Sequence, residues 1–386
     1  MNHENPLSAV TARDPYPYYA RLVAEREVYW DRDIKMWVAS SASAVESILR
    51  DPALHVRPPS ERIPPALFGS PAGDIFGRFA RMTDGSYHVR MKAALTAAFH
   101  SSEALRGFDT LARRCADDLL RKTSLDDPEG LNRFVLGLAP FVTATELGCS
   151  ASDALQIAAI ASTFVRSISP VGTPVDAAVS ARASTELIAI FRTMLESRSD
   201  GGTLFARLNS AAREYDICDD AVVANAIGLI FQSYDATAGL IGNTLIACAR
   251  YAAGCPAPGE DFIAEVARYD APVQNTRRFA VMPTSILGTV VAPGETVLAV
   301  LAAANRDSVA NIDPDRFDPQ RANRRKYTFG LETHACPGSR MAIEVTRAGV
   351  AALLDAGIDS ARFAAAPTYR SSHNARVPDF SVLPCV

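Results

Sequence analysis

The sequence has little charge imbalance: 39 Lys and Arg against 43 Asp and Glu leave a formal net charge of −4 over 386 residues. A general polyanion binder needs a basic surplus, so a nucleic-acid partner is excluded. CxxC pairs are absent. The seven cysteines (Cys115, Cys149, Cys218, Cys248, Cys255, Cys336, Cys385) are odd in number and scattered, which argues against a disulfide framework or a structural zinc site. The opening MNHENPLSAVTARDPYPYY lacks the cationic and apolar regions of a secretory signal and predicts a cytoplasmic product. Long apolar runs are also missing. The most apolar stretch, Ala221 to Ala249, contains Asn225, Gln232, Asp235, Asn243 and Thr244, so it predicts a long buried helix rather than a bilayer span, and no membrane partner. No GxGxxG nucleotide loop, internal repeat or low-complexity tract occurs.

What is present is enough apolar sequence, 48% of residues, to bury a large core. Helical periodicity runs through ARLVAEREV, SASAVESILRD, HVRMKAALTAAF, GLNRFVLGLAPFVTATELG and TELIAIFRTMLESR. β signals are confined to EVYWD, MWVAS and TSILGTVVAPGETVLAVLA, where VAPGET supplies a Pro-Gly turn between two β-branched runs, and to a late pair in SSHNARVPDFSVLP. The expectation is a mainly α fold: one large helical domain over residues 1–386, with small β portions near 27–40 and 273–300. The proline-rich connection from His55 to Thr83 reads as a binding loop or lid, and SISPVGTPVDAA as a second break between helices.

One cysteine stands apart. In FGLETHACPG, Pro337 is suited to the first position of a helix, which makes Cys336 the predicted N-cap, where free N–H groups and the positive helix end favour a thiolate able to ligate a metal. Read alone, a small hydrophobe at a turn is the plainer account. Further segments change that balance. The string resembles the cysteine-ligand loop of the cytochrome P450 family, Phe-Gly-x-Gly-x-His-x-Cys-x-Gly: Phe329, Gly330, His334, Cys336 and Gly338 match, and Glu332 replaces the second glycine. If that position needs a positive φ, Glu332 carries about 1–3 kcal/mol of strain. Glu265 and Arg268 have the family's Glu-x-x-Arg spacing, which puts both on one helical face. PVQNTRRFA, AANRD and FDPQR follow in the family's order, with Arg321 completing the network around Glu265 and Arg268. HVRMK is similar to the family's His-x-x-x-Arg helix, with Lys92 for the arginine, which keeps the charge and loses the bidentate fork.

The resemblance implies a haem b cofactor with Cys336 as the axial thiolate, held between a long distal helix and the helix after the cysteine loop. It implies propionate contacts from His88, Lys92, Arg278 and His334, with Phe329 and Gly338 shaping the loop. It further implies a small-molecule organic substrate and electrons from a separate ferredoxin or flavodoxin with its reductase. Arg321, Arg324, Arg325, Lys326 and Arg340 around the loop could steer an acidic redox partner, or could simply form a solvated charged face.

Within LIFQSYDATAGLIGN the family's Ala-Gly-x-Asp/Glu-Thr-Thr groove aligns Gln232 and Ser233 with the small positions, Asp235 with the acid, Ala236 with the alcohol and Thr237 with the last hydroxyl. Ala236 cannot relay a proton. Thr237 is turned about 100° away from that position and cannot simply replace it. Two readings of Gln232 remain open: a hydrogen bond to substrate or a haem ligand, or a sideways bond to a backbone carbonyl. Asp235 is the expected relay. The functional expectation is dioxygen-dependent oxidation of a natural-product-type substrate, with coupling, cyclisation, desaturation or heteroatom oxidation competing with hydroxylation. A peroxide-driven or non-redox haem enzyme (peroxygenase, dehydratase or isomerase) is the alternative, and a haem ligand sensor a lesser one.

Overall fold

The computed structural model describes residues 5–101, 107–125, 127, 129–167, 174–197, 202–252, 257–364 and 368–381. Its helices are α1 (Pro6–Ala9), α2 (Tyr16–Glu25), α3 (Ala42–Arg50), α4 (Pro71–Phe76), α5 (Gly85–His100), α6 (Phe108–Arg121), α7 (Gly130–Glu146), α8 (Ala151–Ser167), α9 (Pro174–Glu196), α10 (Leu204–Glu214), α11 (Asp219–Tyr251), α12 (Glu260–Tyr269), α13 (Leu301–Asn305) and α14 (Ser339–Asp355). The strands are β1 (Val28–Asp31), β2 (Met36–Ala39), β3 (Leu54–His55), β4 (Thr276–Ala280), β5 (Thr284–Ile286), β6 (Thr289–Val291), β7 (Thr296–Ala299), β8 (Thr368–Tyr369) and β9 (Pro378–Asp379). The mainly helical architecture with small sheets is the predicted one. No helix of the described residues is long and apolar enough to cross a membrane.

The chain divides into two compact units, one of residues 1–55, 116–136 and 235–386, the other of 56–115 and 137–234. In the first, a five-stranded sheet of order β1-β2-β7-β4-β3 joins the two predicted β portions. Strand β7 runs parallel to β2 and antiparallel to β4. Alternation along β7 loads both faces: Val297 and Ala299 pack with Val45, Ile48 and Leu49 of α3, while Leu298 points to Tyr19 and Leu22 of α2. Each such side chain contributes roughly 1.5–3 kcal/mol on burial. Helix α3 starts where Ser41 Oγ accepts the Ala44 N–H at 3.2 Å, and it presents Glu46 and Arg50 one turn apart. In the second unit α5 packs with α10 and α8 with α9, and Phe164 stacks on Phe231 with ring centroids 3.8 Å apart.

The VAPGET turn lies between β6 and β7 as expected; the two strands it links do not pair with each other, and Gly294 N–H donates to the Ala280 carbonyl at 2.8 Å, so the turn rests on β4. The hairpin beside it is β5–β6, closed by Leu287 and Gly288, both at positive φ. Residues 55–83 are not plain loop: α4 and 3-10 turns at Pro65–Leu67 and Ala80–Met82 interrupt them. The late pair exists as β8–β9, with most of SSHNAR in the connection. The break around residue 170 lies largely outside the described residues.

Candidate functional site

In the first unit, residues 325–338 approach the start of α14 along a track of main-chain and amide bonds. Asn311 Oδ1 accepts Arg325 N–H at 3.0 Å, Asn305 Oδ1 accepts Tyr327 N–H at 2.7 Å, and Thr328 Oγ1 donates to the Ala267 carbonyl of α12 at 2.6 Å. The loop then folds on itself. Cys336 N–H donates to the Phe329 carbonyl at 2.7 Å, and Gly330, at φ +69°, sits where a Cβ would come within 2.8 Å of the His334 carbonyl oxygen. Only glycine closes this turn without displacement. Cys336 ends up exposed at its tip.

The N-cap prediction fails: α14 begins at Ser339 with Gly338 as its N-cap, so Cys336 lies two residues further out, in front of a Pro337–Gly338 turn. The Cys336 N–H is spent on Phe329, which holds the loop extended past the helix start. Glu332 does occupy the left-handed region, at φ +52°, opening the short 3-10 turn Glu332–His334. Phe329 packs half-buried against the cluster of Leu240, Ile263, Val266 and Ile343, and Arg278 on β4 is buried, its guanidinium donating to Thr276 Oγ1 at 3.0 Å.

The Glu-x-x-Arg pair is fully buried. Arg268 donates to both Glu265 oxygens, Nη2 at 2.7 Å and Nε at 3.0 Å, and its Nη1 reaches the Asn305 and Pro314 carbonyls. Arg321 joins as predicted, Nε at 3.4 Å; so does Arg324, Nε at 3.0 Å, which the sequence reading had placed on the docking face. Burial opposes the Glu265 charge, yet the Arg268 guanidinium, the Asp318 N–H and the Arg321 charge hold its carboxyl below the usual glutamate range. Of the five basic residues around the loop, Arg321 and Arg324 are thereby turned inward, and Arg325 and Arg340 remain exposed.

In the second unit, His88 and Lys92 lie one turn apart on α5, as predicted. His88 is buried with Nδ1 2.7 Å from the Ala80 carbonyl, while Ala80 N–H donates to Asn225 Oδ1 of α11 at 2.8 Å. Asn225 also donates to the Arg78 carbonyl at 2.8 Å. An amide on α11 thus fixes the turn that orients His88, a role with no local signal in the sequence.

Helix α11 is buried from Ala221 to Ala249 except at Leu229, Gln232, Ser233, Asp235 and Ala236. Spacings of three and four make this one accessible stripe on an otherwise packed helix. Thr237 is 4% exposed and off the stripe. The side chain of Gln232 folds back one turn, so that a Cβ on Gly228 would lie 2.8 Å from Gln232 Nε2 and from the Phe79 ring. Among the described residues Gln232 makes no hydrogen bond, which removes the sideways carbonyl bond as its explanation. Asp235 likewise has no hydrogen bond or ion pair among them; desolvation raises its carboxyl above the usual aspartate range, and the Arg370 charge partly offsets this. Past Asp235, Gly239 and Gly242 admit the Arg376 carbonyl and Pro378, which a Cβ at either position would meet within 2.9 Å.

A family profile described as cytochrome P450 matches residues 260–356, which span α12 to α14 and the cysteine loop. Over 293 residues the chain is 31% identical to cytochrome P450 133B2 of Xylella fastidiosa, with 72% of each chain covered. The chain belongs to the cytochrome P450 family. It is also 27% identical over 390 residues to the beta-dihydromenaquinone-9 omega-hydroxylase of Mycobacterium tuberculosis, covering 96% of this chain and 76% of that one. The crystal structure of CalO2 shares the fold with a TM-score of 0.78 at 23% identity, over 97% of this chain and 96% of that one. This cytochrome P450 is accordingly a monooxygenase with haem b as cofactor, acting on a small molecule with electrons from a redox partner. The residues of the first unit fit the group: an exposed thiol on a glycine-closed loop is a soft donor suited to iron, and Arg278 and His334 are of the types that bind carboxylates.

Proposed function

We propose that the chain oxidises a small organic, natural-product-type substrate with dioxygen, that the whole chain acts as one haem-thiolate oxygenase domain, and that a separate ferredoxin or flavodoxin with its reductase delivers the electrons. Cys336 would hold the iron, Phe329 and Gly338 shape its loop, and His88, Lys92, Arg278 and His334 hold the propionates. When bound, haem b supplies the activation of dioxygen; the chain supplies geometry and protons. The observation that carries the reading is the stripe Leu229–Gln232–Ser233–Asp235–Ala236, accessible in the middle of a buried helix. Its carboxyl at Asp235 lacks a hydrogen-bonding partner among the described residues and is shifted toward the protonated form, so it can hand a proton to a bound molecule.

The missing alcohol at Ala236 leaves room for a substrate hydroxyl or a water to pass that proton on. Hydroxylation therefore depends on the substrate filling this gap, and outcomes such as coupling, cyclisation, desaturation or heteroatom oxidation follow where it does not. Gln232, with its amide unbonded beside Gly228 and Phe79, is placed to anchor a polar group of the substrate. The exposed Arg325 and Arg340 would meet an acidic redox partner.

Reduced protein under carbon monoxide should give the thiolate-type Soret band, and Cys336→Ser should lose it. A serine variant retaining that band would end the haem-thiolate reading. Gln232→Ala should weaken the substrate-induced spectral shift by about tenfold, as expected when a buried hydrogen bond is removed; unchanged spectral titrations and turnover would remove Gln232 from the site. Mass spectrometry of products, with and without reductase and ferredoxin, separates the dioxygen-dependent reaction from the peroxide-driven or non-redox alternative.

A further inference from the structure

Helix α3 carries two charged groups on one face, and both end on the cysteine loop. Glu46 Oε1 accepts the Tyr327 hydroxyl at 2.6 Å and pairs with Arg325 Nη1 at 3.1 Å. One turn further on, Arg50 Nε lies 3.2 Å from Glu332 Oε1. The two grips fall on either side of Gly330, and Glu332 opens the 3-10 turn whose last residue, His334, precedes Cys336 by two. Within that turn Ala335 N–H donates to the Glu332 carbonyl at 3.0 Å, so the backbone of Glu332 is bonded to the residue next to Cys336.

Glu332 adopts φ +52°, a conformation that glycine takes without cost and that a glutamate holds only when its surroundings fix it. A side chain here is explained if it does something a glycine cannot. We propose that Arg50 and Glu332 form a latch: α3 grips the ligand loop at Tyr327 and again at Glu332, and Arg50 is a positioning residue for Cys336. Because α3 packs on the sheet through Val45, Ile48 and Leu49, the latch ties the loop to the buried core of its unit. Both side chains are about half exposed, so the latch is screened by salt, and the loop should loosen as ionic strength rises. The inference rests on the haem-thiolate reading for its consequence at Cys336, while the hold on the loop is a property of the chain itself.

The test is a double-mutant cycle in the holoenzyme with two readouts, amide hydrogen exchange of the peptide spanning 327–336 and the rate of haem transfer to apomyoglobin. Arg50→Ala should raise both by about two- to fivefold, the range open to a half-exposed pair. In a Glu332→Gly background, where glycine accepts the positive φ, the same change should do nothing further. The reversed pair Arg50→Glu with Glu332→Arg should return both rates to near wild type. Additive effects of the two single changes, or failure of the reversed pair to restore protection, would overturn the latch and leave a solvated surface contact. Wild-type protein without a thiolate-type carbon monoxide band would instead remove the haem reading, leaving the exchange result to decide the latch alone.

Discussion

Glu265→Gln is expected to destabilise the protein by about 3–5 kcal/mol, read from the midpoint of urea unfolding at pH 7. Domains of ordinary stability have about 5–15 kcal/mol to lose, so the variant should be the most fragile of the set. The size follows from what the substitution leaves behind. Glu265 is fully buried and faces Arg268, Arg321 and Arg324 at 2.7 to 3.4 Å, and Arg324 reaches a second carboxylate, the exposed Asp261, at 3.4 Å. An amide keeps the shape but takes this carboxylate from Arg321 and from the fully enclosed Arg268. Removing Arg324 alone should cost far less, because Arg268 keeps its bidentate partner.

The pH dependence has a definite sign. The Glu265 carboxyl is held below its usual range, so its contribution is complete above the unfolded glutamate value of about 4.3 and is lost as pH falls through the folded value. Wild type should lose more stability on acidification than Glu265→Gln does. Haem retention should fall with it, because Thr328 bonds the Ala267 carbonyl and ties α12 to the residues just before Phe329. A midpoint within 0.5 kcal/mol of wild type would show that the network is only a neighbourly arrangement of charges.

Much of this site was legible because its signals are local. Glu265 and Arg268 are three residues apart on one helix, His88 and Lys92 four apart on another, and the cysteine loop is a contiguous string, so chain geometry alone brings each set together. What escaped notice lies far apart in sequence. Arg324 reaches Glu265 across 59 residues and Tyr327 reaches Glu46 across 281; periodicity says nothing about which of several arginines will turn inward. The β5–β6 hairpin is hidden for a different reason: Leu287-Gly288 is a weak turn signal beside the strong Pro293-Gly294, and β7 pairs with β2 and β4, which buries both Val297 and Leu298. Cys336 was put on the helix because Pro337 suits a first turn, and tertiary hydrogen bonding to Phe329 held it outside.

The second large effect should appear at Asp235, with stability and activity moving in opposite directions. Asp235→Asn is expected to lower turnover by about 10²–10⁴-fold, the usual worth of a proton-transfer group, while raising the urea midpoint at pH 7. The stability gain comes from desolvation, which lifts the folded carboxyl above the unfolded value of about 3.9. Between those two values the folded state binds the extra proton, so stability falls as pH rises through this window and stays lowered at neutral pH. Asparagine carries no such penalty. The advantage of the variant should therefore vanish below the unfolded value and be complete above the folded one. Arg370 opposes the shift, so Arg370→Ala should raise the Asp235 carboxyl further and enlarge the gain from asparagine. A structural carboxylate would instead lose stability on amidation, since it would already be bonded to its surroundings. Turnover unchanged in Asp235→Asn would dismiss the relay, and a lower midpoint would dismiss the desolvated carboxyl; the two readouts fail independently, which lets the chemistry of the stripe be separated from its packing.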